Sequence, residues 1–166
     1  MEAQIDPWLV LRTRSHHENV VETCLRQKSI NAYLPKRREL RRSKNRKTVV
    51  ETLLFPGYVF VQPSAEQFDN IRHIRGSCGL IFVGDKPAAM PEQQLEAVRI
   101  LAGSGVDFAV DPKLVPGQRV AVIAGPFMGV QGELVRVKSE DRLVINATLL
   151  NASLSVEVDA DKVSIL

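Results

Sequence analysis

The segment Leu53-Leu54-Phe55-Pro56-Gly57-Tyr58-Val59-Phe60-Val61 limits the possible folds more than any other. It reads as a strand led in by a Pro-Gly turn, with β-branched and aromatic residues after the turn. It holds three aromatics in a chain with only six Phe, two Tyr and one Trp. About seventy residues later comes Ala124-Gly125-Pro126-Phe127-Met128-Gly129-Val130-Gln131-Gly132, with valine-rich stretches on either side. That spacing of glycines predicts a tight hairpin. The chain therefore has two separate β-building regions, one before and one after its middle.

Between and around these marks the pattern divides the chain. Pro7–Thr13 is a short apolar run that predicts a buried strand. Ser15 with Glu18 three residues on predicts a capping box, followed by a helix with Val20, Val21, Cys24 and Leu25 inward and Glu18, Glu22 and Arg26 outward. Residues 30–38 return as a strand, Ser43-Lys44-Asn45 is a hairpin tip, and Thr48-Val49-Val50 re-enters the sheet. Ser64 caps an expected second helix to about Ile74, with Phe68, Ile71 and Ile74 inward and Gly76 ending it. Leu80-Ile81-Phe82-Val83 predicts a buried strand closed by a Gly84-Asp85 turn. Pro91 opens a third helix that buries Leu95, Val98 and Leu101 or Ala102 and stops at Gly103. The order β-α-β-β-β-α-β-α predicts an α+β sandwich, a mixed sheet against helices. Residues 104–116 read as a linker. Val120/Val122, Leu134/Val135/Val137, Leu143/Ile145, Leu154/Val156/Val158 and Val163/Ile165 mark five short strands, which fit a small closed barrel.

Charge separates the same two regions. Residues 1–110 hold 16 Lys/Arg against 12 Asp/Glu, and residues 111–166 hold 6 against 7. Lys36 to Lys47 contains eight basic residues and one acid, Glu39. Such a cluster reads as a patch facing nucleic acid or an acidic protein, or as a solvated basic hairpin. The near-neutral C-terminal part points to a protein partner. No apolar run approaches the roughly 20 residues that span a bilayer, and the polar Met1–Asp6 is no signal peptide, so a cytoplasmic protein is expected. Cys24 and Cys78 lack metal or disulfide spacing and are expected as buried thiols.

No catalytic arrangement emerges. His16 and His17 are adjacent and diverge, His73 has no ligand at metal spacing, and the glycines at 125, 129 and 132 are not followed by the Lys-Ser/Thr of a phosphate loop. No enzyme, metal or cofactor is expected. Tyr58 and Phe60 share one strand face and Val59 and Val61 the other. With valines toward the helices, the aromatic face is either covered by another element or free as an interaction patch.

These features, in this order, resemble the NusG family of transcription elongation factors, an N-terminal NGN domain followed by a KOW domain. The resemblance rests on the Trp8 strand, the helix with Glu18, Tyr33-Leu34-Pro35, Leu54–Val61, Arg75-Gly76, Lys86-Pro87-Ala88 and Gly117 through Gly132. It implies an NGN domain over 5–103, a linker over 104–116 and a five-stranded KOW barrel over 117–166. It also implies a monomer that binds the β′ clamp helices of RNA polymerase through Phe55, Pro56, Tyr58 and Phe60. Arg14 and Arg75, then Arg72, Arg26 and Lys28, would face the non-template DNA strand. Phe127, Met128 and Leu150 would serve a partner of the KOW domain, a small-subunit ribosomal protein or Rho. The implied activity is suppression of pausing and termination.

One departure bears on that list. The general factor carries a Phe-Gly-Arg turn between its last KOW strands, where this chain reads Leu150-Asn151-Ala152. The apolar Leu150 is compatible with a ribosomal contact, while Rho recruitment is put in doubt. The substitution is more similar to the specialised paralogues of the RfaH, LoaP and UpxY types. The period-2 pattern of the C-terminal part nevertheless favours stable β-structure over a switch to helix. The competing reading is a ribosome-associated RNA-binding KOW protein, against which the acidic balance of residues 111–166 stands.

Overall fold

The computed structural model describes residues 6–166, so the expected domain start at residue 5 and most of the N-terminal segment lie outside the described residues. The chain forms two compact units that divide between Met90 and Pro91.

The first unit contains β1 (Leu9–Thr13), α1 (Glu18–Gln27), β2 (Asn31–Tyr33), β3 (Lys36–Ser43), β4 (Arg46–Leu53) and β5 (Tyr58–Gln62), then α2 (Phe68–Ile71), β6 (Ser77–Leu80), β7 (Phe82–Val83) and β8 (Lys86–Pro87). Its sheet runs β2-β5-β1-β6, with β3-β4 and β7-β8 as separate two-stranded hairpins. The sheet is antiparallel throughout rather than mixed. Each crossover through a helix skips a strand: β1-α1-β2 straddles β5, and β5-α2-β6 straddles β1. Parallel strands therefore never become neighbours.

Alternation places Leu9, Leu11, Val59 and Val61 on one sheet face. There they form a core with Val21 and Leu25 of α1 and with Ile30, Leu34, Ile71 and Ile74. Several local expectations fail in informative ways. Residue 17, not Ser15, precedes the first turn of α1, and it makes no side-chain cap. Glu18 is buried and Val20 is exposed, so the apolar stripe is rotated relative to the predicted one. A carboxylate in the first helical turn is favoured by the unpaired amides there. The second helix shrinks to one four-residue α-turn after a 3-10 turn. Gln67 Oε1 accepts from the Ser64 amide at 3.0 Å, while Phe68 turns to solvent. Phe82 and Val83 are 54% and 68% exposed. The apolar run that predicted one buried strand is split between β6, which pairs with β1, and the outlying β7-β8 hairpin. Cys78 is exposed and Cys24 half-buried.

The second unit contains α3 (Glu92–Gly103), β9 (Ala109–Asp111), β10 (Gln118–Val122), β11 (Gln131–Val137), β12 (Glu140–Ala147), β13 (Ala152–Glu157) and β14 (Val163–Ile165). All five expected strands are present, and the six-stranded order is β14-β10-β11-β12-β13-β9, antiparallel at every pair. The sixth strand, β9, comes from the segment read as a linker. Asn146 clips the following residues to β12, accepting from the Val115 amide at 2.9 Å and donating Nδ2–H to the Val115 carbonyl at 2.9 Å. α3 buries Leu95, Ala97, Val98 and Leu101. It packs on β11 and β12, and Gln94 Oε1 accepts from the Thr148 amide at 3.1 Å. The helix expected at the end of the N-terminal domain thus groups with the C-terminal strands. Gly132 is required by close approach, since a Cβ there would lie 2.6 Å from the Val144 carbonyl oxygen.

Candidate functional site

β5 is the second strand of its sheet, between β1 and β2. Its aromatic face is set by register: Phe60 pairs with Val10 on one side and Tyr33 on the other, and Tyr58 pairs with Arg12. The Phe60 ring lies 6.2 Å from Phe55, edge to face, and 6.3 Å from Tyr33. Ring pairs at this spacing add to the effect of burial. Phe60 is 0% and Phe55 4% exposed. Of the two alternatives for this face, the covered one applies to Phe55 and Phe60. Pro56 is exposed and Tyr58 half-buried, so these two reach solvent at the edge of the cluster. Tyr33, part of the Tyr33-Leu34-Pro35 motif but not expected at the site, joins the cluster; its pairing partner on β5 is not readable locally.

The expected DNA-facing cations fall into two groups. Arg14 and Arg75 are both exposed and lie at one end of the sheet, where the Arg14 amide donates to the Gly76 carbonyl at 2.8 Å. The neighbouring Thr13 amide donates to the Gly57 carbonyl at 2.9 Å, which brings the Pro56-Gly57 turn to the same corner. Gly76 has φ +87, and a Cβ there would meet the His17 Cβ at 2.8 Å, so the turn between α2 and β6 closes against the start of α1. Arg72 is exposed just before this turn. Arg14, Arg72 and Arg75 make no ion pair among the described residues. Arg26 and Lys28 stand at the far end of α1, about 15 Å away along its axis at 1.5 Å per residue. Arg26 is also tied to Glu22 at 3.3 Å. They do not join the Arg14–Arg75 corner.

In the second unit the three expected partner residues separate as well. Phe127 and Leu150 are buried at 6% and 8%, whereas Met128 is 66% exposed at the tip of the loop between β10 and β11. Ile123, exposed at the start of the same loop, was not anticipated. Asn151 takes a left-handed conformation, φ 51, after a 3-10 turn over Thr148–Leu150, which turns Leu150 inward. Among the described residues, no group of three or more His, Cys, Asp or Glu is placed to hold a metal ion. No helix among the described residues is long and apolar enough to cross a membrane.

The family profile described as "Transcription termination factor nusG" matches residues 6–99, more than half of the chain. The chain belongs to the NusG family. It is 28% identical to the Transcription termination/antitermination protein NusG of Treponema pallidum, over 96% of this chain and 98% of that protein. It is 31% identical to the protein of the same name from Pseudomonas aeruginosa, over 75% of this chain and 72% of that one. The match to the Streptococcus pyogenes NusG is 27% over 84% of this chain and 86% of the relative. Among solved structures, one of Thermotoga maritima NusG aligns with a TM-score of 0.51 at 21% identity, covering 97% of both chains, which supports the same fold. The profile match runs past Met90 into α3 and so crosses the division between the two compact units.

Proposed function

We propose that this NusG-family chain is a transcription elongation and antitermination factor, in the class named for its relatives, which binds RNA polymerase through its first unit. The observation that carries the reading is the shared corner. The Pro56-Gly57 turn and the Arg14–Arg75 corner are linked by two backbone hydrogen bonds from the adjacent residues Thr13 and Arg14, at the end of β1. A surface that offers an aromatic edge beside free cations suits a bridge between a protein element and a nearby phosphate backbone.

In this reading Pro56 and Tyr58 touch the β′ clamp helices, and the buried Phe55 and Phe60 hold them in place. Arg14 and Arg75, assisted by Arg72, face the non-template strand. Contacts with two sides of the polymerase cleft favour its closed state by differential affinity, and pausing is suppressed to that extent. The second unit, with the five strands β10–β14 as its KOW barrel, presents Met128 and Ile123 to a further protein. Tethering raises that protein's effective concentration at the polymerase. A small-subunit ribosomal protein suits an apolar loop tip, and Leu150-Asn151-Ala152 favours an operon-specific paralogue without Rho recruitment.

Single-round transcription with purified polymerase tests this. The full chain should shorten the dwell at a strong pause and raise read-through of a terminator. Dwell times unchanged at saturating protein would overturn the proposed activity.

A further inference from the structure

The hairpin β3-β4 stands outside the main sheet of its unit and is not used by the site above. Its eight-residue strands pair in full register from Lys36↔Leu53 to Ser43↔Arg46, and each strand spans about 26 Å at ~3.3 Å per residue. Lys44 and Asn45 form the two-residue turn with φ of 42 and 66, both positive, as the tight hairpin turns that suit strand twist require.

The pleat sorts its cations. Arg41 and Arg46 lie on one face, Arg42 and Lys47 on the other, and Lys44 at the tip. All five are exposed, and none has an ion pair among the described residues. Two ion pairs of the ribbon, Arg37–Glu39 at 2.9 Å and Arg38–Glu51 at 3.8 Å, lie toward its base. Arg42 and Lys47 are direct cross-strand partners, and like charges facing each other oppose pairing. Leu40 and Val49, also cross-strand partners, are 58% and 61% exposed on that same face. A two-stranded hairpin is marginal by itself, so repulsion at its distal end calls for an anion to offset it.

We infer that the β3-β4 ribbon inserts tip-first into the major groove of duplex DNA. A flat anionic surface would engage one face of the ribbon and leave the other cationic face unmatched. A groove has a phosphate wall on each side. The B-form major groove is about 12 Å wide and ~8.5 Å deep and admits a two-stranded ribbon. That depth accommodates roughly the three residues of each strand next to the turn, which together with Lys44 carry the five free cations. Leu40 and Val49 follow them at the groove lip, beside the sugar-phosphate rim rather than the base edges. The narrow major groove of A-form RNA does not admit such a ribbon. This inference does not rest on polymerase binding.

The test is fluorescence anisotropy of the full chain on a mixed-sequence DNA duplex of about 30 bp between ~50 and ~200 mM salt. The same measurement on an RNA duplex of equal length, and competition with polyglutamate, accompany it. R41Q/R42Q/R46Q/K47Q should flatten the log–log salt slope by about 3–4, at ~0.9 per lost phosphate contact. Across that salt range the wild type should then lose roughly 10²-fold more affinity than the variant. The lysine-for-arginine variant R41K/R42K/R46K should retain the wild-type slope, which separates lost charge from lost fold. Equal slopes for wild type and the glutamine variant, RNA binding as tight as DNA binding, or displacement by polyglutamate at equal charge would each overturn the assignment.

Discussion

Phe60→Ala separates the support of the aromatic cluster from its contact surface. Phe60 is fully buried, with Phe55 and Tyr33 rings at 6.2 and 6.3 Å. Removing a buried phenyl ring costs about 3–5 kcal/mol, including the cavity left behind, and the lost ring pairs are worth ~0.5–1.5 kcal/mol each within that loss. For a chain of this length about 2–4 °C of melting temperature follows each kcal/mol, so a fall of roughly 6–20 °C is expected. Tyr58, on the same strand but half-exposed, should cost only about 1 kcal/mol on truncation to Ala. Thermal and urea denaturation of the full chain, followed by circular dichroism, measures both. A Phe60→Ala melting temperature within about 3 °C of wild type would refute the reasoning, as would a Tyr58→Ala loss equal to that of Phe60→Ala. The consequence for function is practical. Weakened polymerase binding by Phe55→Ala or Phe60→Ala mixes folding with contact, and Tyr58 and Pro56 are the informative positions.

Asn146→Ala removes both hydrogen bonds to Val115 and should cost about 1–3 kcal/mol, because the backbone groups it leaves are part-buried. Amide exchange over residues 109–116 should speed up first, since the clip holds that segment to β12. Gly132→Ala forces a Cβ to 2.6 Å from the Val144 oxygen and should lower stability by roughly 1–3 kcal/mol in denaturant titrations. Arg14→Gln with Arg75→Gln should flatten the salt slope for single-stranded DNA by about 1.4, at ~0.7 per contact, and leave the melting temperature unchanged.

The strands of both units were legible where apolar residues alternate against a continuous core, as in Leu9/Leu11, Val59/Val61 and Val120/Val122. What escaped depended on partners distant in sequence. β9 has only three residues, and its pairing with β13 leaves no local periodicity, so the segment reads as a linker. Leu80–Val83 reads as one run, yet β1 takes only its first part and the rest turns out into a hairpin. α3 was placed correctly along the chain, but an amphipathic stripe carries no address for the sheet it will pack on. At the site, the pleat correctly put Tyr58 and Phe60 on one face, and whether that face is covered lay beyond strand periodicity. The Arg14–Arg75 pairing followed from family resemblance, and its physical basis is the Arg14–Gly76 hydrogen bond, which spans sixty-odd residues. Arg26 and Lys28 are grouped with it by the same resemblance, and α1 carries them to its other end.

The account depends most on the aromatic edge of the first unit, and binding to bacterial RNA polymerase core tests it directly. Wild-type chain should co-elute with the core enzyme on gel filtration, and Tyr58→Ala/Pro56→Ala, with its melting temperature near wild type, should elute free. Wild type that fails to co-elute would contradict the proposed function, and a double variant that co-elutes as well as wild type would contradict its site.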